Sequence, residues 1–365
     1  MKKIKVLHVC DALDKGGLEE VIYNLVKNTN DEEFEAGVAY FRGGVVADRL
    51  KEKGFSCKEI NETSKFARIN QLKNYIKDEK IDIVQAHFCF HGILAAKLAG
   101  VNVVETTHNT YHFFENPWGS IKYSFYLNLV DSIVSVSKAV ENFNLTNFKV
   151  MKQKKCTVIR NSIDSERIIP TERSKEELKQ QFGLPENSFV ISTLSRLDVQ
   201  KGLEYFIEAA KKLNQKYDHL VFLIPGEGSK QYSKSLLKEA EGESNIRFIG
   251  HVSKVNELFK VMDVFAMSSL WEGAPLTLLE AMAYGKAVVV TNVGNTAEVI
   301  QDDVNGFIVE KKDVDSFVER LSRFIDHPEK RAELEKRAKE DFAEKFSNQI
   351  MISHYKNLYK SLLKV

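Results

Sequence analysis

Between two short apolar runs, at residues 264–267 and 287–290, the chain reads Glu272-Gly273-Ala274-Pro275-Leu276-Thr277-Leu278-Leu279-Glu280-Ala281-Met282-Ala283. The apolar runs have the length of buried strands, and the segment between them is typical of a loop that enters a helix. A strand, a helix and a second strand in this order predict a parallel sheet, because parallel neighbours need a crossover connection. The stretch therefore predicts an α/β fold.

The same alternation extends through the rest of the chain. In the first half it predicts strands at residues 5–10, 36–41, 81–86, 101–107, 132–136 and 157–159. In the second half it predicts strands at residues 189–194, 220–224, 246–249, 264–267, 287–290 and 307–309. Helical patterns such as residues 18–28 and 71–79 lie between the strands. The pattern predicts two doubly wound domains, each with helices on both faces of a parallel sheet.

The length of 365 residues fits two domains that each bury a core. The polar stretch 161–174 is the best linker candidate, and the charged residues near the C-terminus are helical in pattern. We predict an N-terminal domain over residues 1–165 and a C-terminal domain over residues 166–345. Residues 346–365 are predicted to form a C-terminal helix, whose packing back on the N-terminal domain is left open.

Composition excludes several classes of protein. The net charge of +1 gives no overall field that would attract nucleic acid. No apolar run approaches the roughly 18 residues of a membrane span, and Lys5, His8 and Asp11 interrupt any signal-peptide core. Four widely spaced cysteines are typical of free thiols in a reducing compartment. We predict a cytoplasmic protein, with peripheral contact at the inner face of the membrane left open.

Glu272 and Glu280 enclose seven residues, with a glycine and a proline just after the first glutamate. This resembles the signature of glycosyltransferase family 4, whose members are retaining enzymes of the GT-B architecture. Other residues agree with that family in the expected order: Gly16-Gly17, His108, Asn161-Ser162-Ile163-Asp164, Arg196, Lys201 and Asn305-Gly306. The resemblance implies two Rossmann-like domains that face each other across a cleft, with the acceptor bound by the first and the nucleotide-sugar by the second.

Cleavage of a sugar–phosphate bond develops positive charge on the sugar and negative charge on the leaving diphosphate, and fixed charges stabilise both. Arg196 and Lys201 follow a predicted strand, at the kind of loop where open parallel sheets bind ligands. A guanidinium forks onto phosphate oxygens, and an ammonium adds a point charge. We predict that both residues bind the diphosphate of the donor.

The loop before the predicted helix adds a second donor-binding element. Backbone N–H groups and the positive helix end favour an anion, and Pro275 suits the first helical turn. The resemblance implies that Glu280 hydrogen-bonds the ribose hydroxyls. It also implies that Glu272 is catalytic, binding the transferred sugar and offsetting its positive charge. The donor-binding residues predicted in this loop are Gly273, Ala274, Pro275 and Leu276.

In the first half, Gly16 and Gly17 follow the first predicted strand, where glycine lets the backbone approach a ligand. The resemblance places both at the donor. It also implies that His108 is a catalytic residue that contacts the donor sugar or the acceptor hydroxyl. Asn109 follows it where many relatives have aspartate, so the sequence does not favour a His–Asp pair.

Two further features are interpreted from their local pattern. The aromatic residues of the segment 111–126 form either core or a surface that, with nearby lysines, meets a lipid-linked glycan. The triplet Asp313-Val314-Asp315 resembles a metal-binding motif, but it precedes a helical pattern and is explained by helix capping. We therefore expect neither a metal nor another cofactor.

These observations predict a retaining glycosyltransferase that moves a hexose or N-acetylhexosamine from a nucleoside diphosphate sugar, UDP on family grounds. The expected acceptor is a saccharide or lipid-linked saccharide in surface-polysaccharide or glycoconjugate biosynthesis. Retention is expected by front-side attack, with the leaving phosphate helping to deprotonate the acceptor, because no carboxylate is placed as a nucleophile. Two alternatives stay open: a nucleotide-sugar epimerase on the same fold, and a catalytically inactive binding subunit.

Overall fold

The strands form two parallel sheets, as the alternation of apolar runs and helical patterns predicts. The computed structural model describes residues 2–110 and 117–363. By their contacts the residues fall into two units, Met1–Ser162 with Asn348–Val365, and Ile163–Ser347. The predicted α/β class, with two Rossmann-like domains, is confirmed.

The described residues of the first unit form seven strands, in the spatial order β3-β2-β1-β4-β5-β6-β7. The strands are β1 Ile4–Ala12, β2 Phe34–Arg42, β3 Cys57–Glu59, β4 Ile83–Ala86, β5 Asn102–Thr107, β6 Ser132–Ser135 and β7 Lys155–Val158. The helices are α1 Gly17–Thr29, α2 Val45–Glu52, α3 Lys65–Asp78, α4 Phe90–Ala99, α5 Pro117–Leu129 and α6 Lys138–Asn147.

The second unit contains six strands, in the spatial order β10-β9-β8-β11-β12-β13. The strands are β8 Phe189–Ser192, β9 Leu220–Pro225, β10 Ile246–Gly250, β11 Val264–Met267, β12 Ala287–Thr291 and β13 Phe307–Val309. The helices are α7 Lys175–Gln181, α8 Leu203–Asn214, α9 Lys230–Glu239, α10 Val255–Val261, α11 Leu276–Ala283, α12 Thr296–Val299, α13 Val314–Asp326 and α14 Pro328–Lys345.

The central strands are buried on both faces, and this explains their unbroken apolar sequence. Every residue of β11 and of β12 is buried, as expected where helices cover both sides of a parallel sheet. Several of the predicted strands needed correction by one or two residues at an end, and one strand was missed. The edge strand β3 was not predicted, because three residues are too few to show an alternating pattern. The strand predicted at residues 157–159 begins two residues earlier, at Lys155.

A last helix, α15 Asn348–Leu363, belongs to the first unit although it follows the whole of the second. Tyr359 donates its hydroxyl to Gln85 Oε1 in β4, and Asn102 Nδ2 in β5 donates to the carbonyl of Leu362 at 3.3 Å. Of the helices described, none is long and apolar enough to cross a membrane.

Candidate functional site

Each sheet has one point where the strand order reverses. In the second unit the chain moves outward from β8 and returns beside it as β11, and in the first unit β1 and β4 have the same relation. Open parallel sheets bind ligands beyond the carboxyl ends of the strands at such a point. A ligand site is therefore expected at the loops that follow β1, β4, β8 and β11.

In the second unit, the loops after β8 and β11 meet through Lys201 and Glu272. Lys201 Nζ lies 2.6 Å from Glu272 Oε1, and Glu272 is only 5% exposed. The carboxylate also accepts hydrogen bonds from Ser269 Oγ at 2.8 Å and from Gln200 Nε2 at 3.2 Å. Three donors hold this carboxylate in one orientation, as a group that acts by position requires.

The backbone joins these loops to each other and to the loop after β12. Leu270 N donates to the carbonyl of Gln200 at 2.8 Å, and Asn295 N donates to the carbonyl of Gly273 at 3.2 Å. Gly294 has φ 56°, and a Cβ there would lie 2.5 Å from the carbonyl oxygen of Glu272. Glycine is therefore required for the third loop to pack against the glutamate.

Arg196 stands apart from these contacts. It is exposed, and no described residue forms a hydrogen bond or an ion pair with it. Its loop is fixed by two glycines, since a Cβ on Gly226 or Gly228 would lie within 1.9 Å of the carbonyl oxygen of Ser195 or Leu197 respectively. A closely packed loop thus presents a guanidinium that no described residue pairs, and a guanidinium suits a diphosphate.

The loop of the quoted stretch leads directly into α11. The helix begins at Leu276, so Pro275 stands one residue before the first helical residue rather than inside the first turn. Gly273, Pro275 and Leu276 are buried and Ala274 is half-buried. The N-terminus of α11 follows the Glu272 carboxylate by four residues, so both belong to the same end of the sheet.

Glu280, on the buried side of α11, forms an ion pair that the sequence did not predict. Arg167 contacts Glu280 Oε1 through Nε at 2.6 Å and through Nη2 at 2.5 Å. Tyr284 donates its hydroxyl to the carbonyl of Arg167 at 2.8 Å. Burial, and then the charge of Glu280, raises the pKa of Tyr284 to about 12, so it stays a donor.

In the first unit, the predicted residues lie at the carboxyl ends of β1 and β5. Gly16 precedes α1 and Gly17 is its first residue, with Glu19 and Glu20 in the first turn. His108 directly follows β5. The side chain of Asn109 accepts a hydrogen bond from the backbone N–H of Thr110 at 2.8 Å, so it is turned toward its own backbone.

His108 is the outer member of a chain of three imidazoles. His8 Nδ1 lies 3.0 Å from His87 Nε2, and His87 Nδ1 lies 2.8 Å from His108 Nε2. His8 and His87 are fully buried and His108 is half-buried. Burial lowers the pKa of His8 and of His108 to about 3 and that of His87 well below its usual value, so all three are neutral at neutral pH.

His87, the middle member of this chain, is not among the candidate site residues that the sequence selects. The residue after it, Phe88, has φ 54°. An aromatic residue rarely adopts this left-handed conformation, and strain of this kind is found where a side chain must be aimed. No local pattern links His8 to His87, because they lie 79 residues apart in sequence.

The Asp313-Val314-Asp315 triplet lies at the start of a helix. Asp313 accepts a hydrogen bond from Ser316 N at the start of α13, as the capping interpretation predicts. Within residues 2–110 and 117–363, the one trio with donor atoms suited to a metal is Asp11, Cys89 and His91, all within 4.8 Å of one another. The Cys89 thiol already donates to Asp11 at 3.4 Å, which accounts for their approach without an ion.

The aromatic segment divides between core and surface. Residues 111–116 lie outside the described part of the chain. Tyr123 is fully buried against Phe148, at a ring distance of 5.0 Å. Trp118 and Phe125 are 83% and 57% exposed. The segment therefore has side chains both in the core and on the surface, and contact of its exposed rings with a lipid-linked glycan stays a prediction.

The chain matches the family model for glycosyl transferases group 1 over residues 174–341 and that for Glycosyltransferase Family 4 over residues 15–167. It is 29% identical over 345 residues to the UDP-Gal:alpha-D-GlcNAc-diphosphoundecaprenol alpha-1,3-galactosyltransferase of Escherichia coli, covering 89% of this chain and 88% of that protein. It is 27% identical to the N-acetyl-alpha-D-glucosaminyl L-malate synthase of Bacillus anthracis, covering 82% and 78%.

Solved structures agree on the fold. The Anabaena protein HepE in complex with UDP-glucose superimposes with a TM-score of 0.87 at 20% identity, covering 98% of this chain and all of that one. A glycosyltransferase from Rickettsia africae gives a TM-score of 0.87 at 22% identity, with full coverage of both chains.

Proposed function

Because the chain belongs to the glycosyltransferases, with a family 4 domain followed by a group 1 domain, we propose that it is a retaining enzyme using a UDP-sugar. It moves a hexose or N-acetylhexosamine to a saccharide or lipid-linked saccharide in surface-polysaccharide or glycoconjugate assembly. The proposed donor-binding residues of the first unit are Gly16 and Gly17. Those of the second unit are Arg196, Lys201, Gly273, Ala274, Pro275, Leu276 and Glu280. His108 contributes from the first unit.

One observation carries the proposal. At the point where the strand order of the second unit reverses, the loops after β8 and β11 carry a guanidinium that no described residue pairs, Arg196, and an oriented carboxylate, Glu272. A cation for the leaving diphosphate and an anion for the sugar are the two charges that cleavage of a nucleotide-sugar requires. Lys201 can serve both groups. Its ammonium pairs with the Glu272 carboxylate and still has N–H donors for the diphosphate.

The contacts of Glu272 also support front-side attack. A carboxylate that accepts from Lys201, Ser269 and Gln200 has most of its lone pairs engaged and is a poor nucleophile. We assign it to charge stabilisation at the sugar. The leaving phosphate then takes the proton of the acceptor hydroxyl.

The relatives support the choice of substrates. The Escherichia coli relative is named for a UDP-galactose donor and a diphosphoundecaprenol-linked acceptor. The Bacillus anthracis relative carries N-acetylglucosaminyl in its name, and the Anabaena structure contains UDP-glucose. A UDP-sugar donor and a lipid-linked saccharide acceptor are therefore the first substrates to test.

A panel of nucleotide-sugars should identify the donor, because a ligand that binds only the folded protein raises its melting temperature. We expect UDP-sugars, and not their GDP or ADP counterparts, to stabilise the protein. Incubation of the stabilising donor with saccharide and undecaprenyl-linked acceptors should then give a product with the donor's anomeric configuration. The transfer should continue after exhaustive chelation, since Arg196 and Lys201 supply the positive charge.

Each arm of this experiment has a contrary outcome. An epimerised sugar formed from donor alone would favour the epimerase, and an inverted product would exclude retention. Failure of every nucleotide-sugar to stabilise or react would favour an inactive binding subunit. Loss of activity on chelation, restored by magnesium or manganese, would contradict the metal-free clamp.

We also propose that the first unit contacts the inner face of the membrane through α5. Trp118, Ile121 and Phe125 are spaced along one face of this helix and are 83%, 62% and 57% exposed. The adjoining 3₁₀ turn, Lys149–Gln153, carries the exposed Lys149 and Lys152. Aromatic rings beside lysines suit an anionic lipid surface, where a lipid-linked acceptor resides.

Flotation with vesicles tests this contact. Wild-type protein should bind vesicles rich in phosphatidylglycerol better than vesicles of phosphatidylcholine alone, because the lysines add electrostatic attraction. Replacing Trp118, Ile121 and Phe125 together by Ser should weaken binding by about tenfold or more, as expected from the apolar area lost. Phe66→Ser, at a site of equal 83% exposure on α3, is the matched control. Equal binding of all three proteins would contradict the proposal.

A further inference from the structure

The chain of three histidines has a closed inner end. His8 sits inside β1 with no exposed surface, and its Nε2 has no hydrogen-bond partner in the described part of the protein. His87 and His108 follow β4 and β5, the next two strands of the sheet. The imidazoles therefore lead from an unpartnered nitrogen in the core to a half-buried ring at the carboxyl edge of the sheet.

Only two proton arrangements are consistent with neutral rings, because each neutral imidazole has one N–H and one bare nitrogen. In the first arrangement every ring is protonated at Nδ1, so His8 donates to His87 and His87 donates to His108. In the second every ring is protonated at Nε2, and both hydrogen bonds run inward. A ring cannot change its tautomer alone without breaking a hydrogen bond.

The buried end distinguishes the two arrangements. The second would place an N–H at Nε2 of His8, where no described residue offers an acceptor. The first leaves only a bare nitrogen there. Orphaned N–H groups are the rarest unsatisfied groups in protein interiors, so the first arrangement is favoured. In the first arrangement His108 carries its proton on Nδ1, the nitrogen that takes no part in the hydrogen bonds among the three histidines.

We propose that His87 and His8 are positioning residues that hold His108 as the Nδ1–H tautomer, so that His108 donates a hydrogen bond to a substrate oxygen. Its proton-bearing nitrogen cannot take the proton of the acceptor hydroxyl, which leaves that proton to the departing phosphate. This rests on the proposed function for the identity of the substrate. The tautomer itself does not depend on it.

Nitrogen-15 NMR of the intact protein, labelled at histidine and recorded without substrate, tests the tautomer. At neutral pH we expect His8, His87 and His108 each to show a protonated Nδ1 and a bare Nε2. His8→Phe keeps a ring in the core but removes the inner donor, so His87 and His108 should lose the single-tautomer signature. His354→Gln, at an exposed histidine of α15, should leave it unchanged.

A wild-type spectrum with His108 protonated at Nε2, doubly protonated, or averaged between tautomers would overturn the proposal. If His8→Phe does not fold, the wild-type spectrum still decides. Because no substrate is present, failure of the transfer assay would refute the proposed function without touching this result. A fixed Nδ1–H signature that His8→Phe leaves intact would show that His8 does not set the tautomer.

Discussion

Replacing Glu272 by Gln should lower kcat by about 100- to 1,000-fold, the usual loss when one well-placed electrostatic group is removed from a catalytic site. The substitution keeps the shape of the side chain and its oxygen for Ser269, but it removes the negative charge that we propose stabilises the sugar. Lys201 donates to the same Oε1 as Ser269, so it keeps an acceptor but loses the opposite charge, and its own charge becomes available to phosphate. Nucleotide affinity should therefore stay equal or increase, while turnover falls.

Steady-state kinetics and calorimetric titration with UDP separate the two quantities, since an interaction made only in the transition state changes kcat and leaves ground-state binding intact. Glu329→Gln, at an exposed glutamate in the same unit, is the control and should behave as wild type. A variant that loses nucleotide affinity as strongly as turnover would show that Glu272 belongs to the nucleotide site.

The second large effect is expected at the buried ion pair. Arg167→Leu should lower the free energy of unfolding by about 3 to 5 kcal/mol, because it removes the arginine partner of a buried carboxylate. The carboxylate of Glu280 is 1% exposed and takes two contacts from the guanidinium. Glu280→Gln should cost much less, since it removes the buried charge itself, and the double variant should recover part of the loss.

Denaturant unfolding of the two single variants and the double variant gives the coupling energy directly. Lys212→Leu, which breaks a surface pair with Asp315, is the control and should cost under about 1 kcal/mol.

Nucleotide titration adds a second readout. If Glu280 binds ribose as the family resemblance implies, Glu280→Gln should weaken UDP about 10- to 100-fold. Unchanged affinity would limit Glu280 to a structural role.

Most of the fold could be predicted because its signals are local. β11 and β13 were predicted at their observed bounds, since each is a short apolar run between polar loops. β3 carries no such signal. β3 forms because it pairs with β2 in the folded sheet, and three residues of sequence give no information about that partner.

The site was harder to predict because its contacts join distant parts of the chain. Glu272 was selected for its motif, but Gln200, which donates to it, precedes it by 72 residues. Arg167 lies 113 residues before Glu280, in a stretch that sequence marks only as polar. The histidine chain joins three strands. Tertiary pairing alone decides which of several ordinary side chains become partners.

The position of α15 in the sequence, after the whole of the second unit, has a consequence during synthesis. The sheet of the first unit emerges from the ribosome early, but the helix that completes this unit follows residues 163–347. At about 5 to 20 residues per second, the ribosome needs on the order of ten to forty seconds for that interval. During this time Phe34 and Gln85 lack Tyr359, the side chain that contacts both in the finished protein. The surface of the first unit that α15 covers thus stays exposed until this helix has been synthesised.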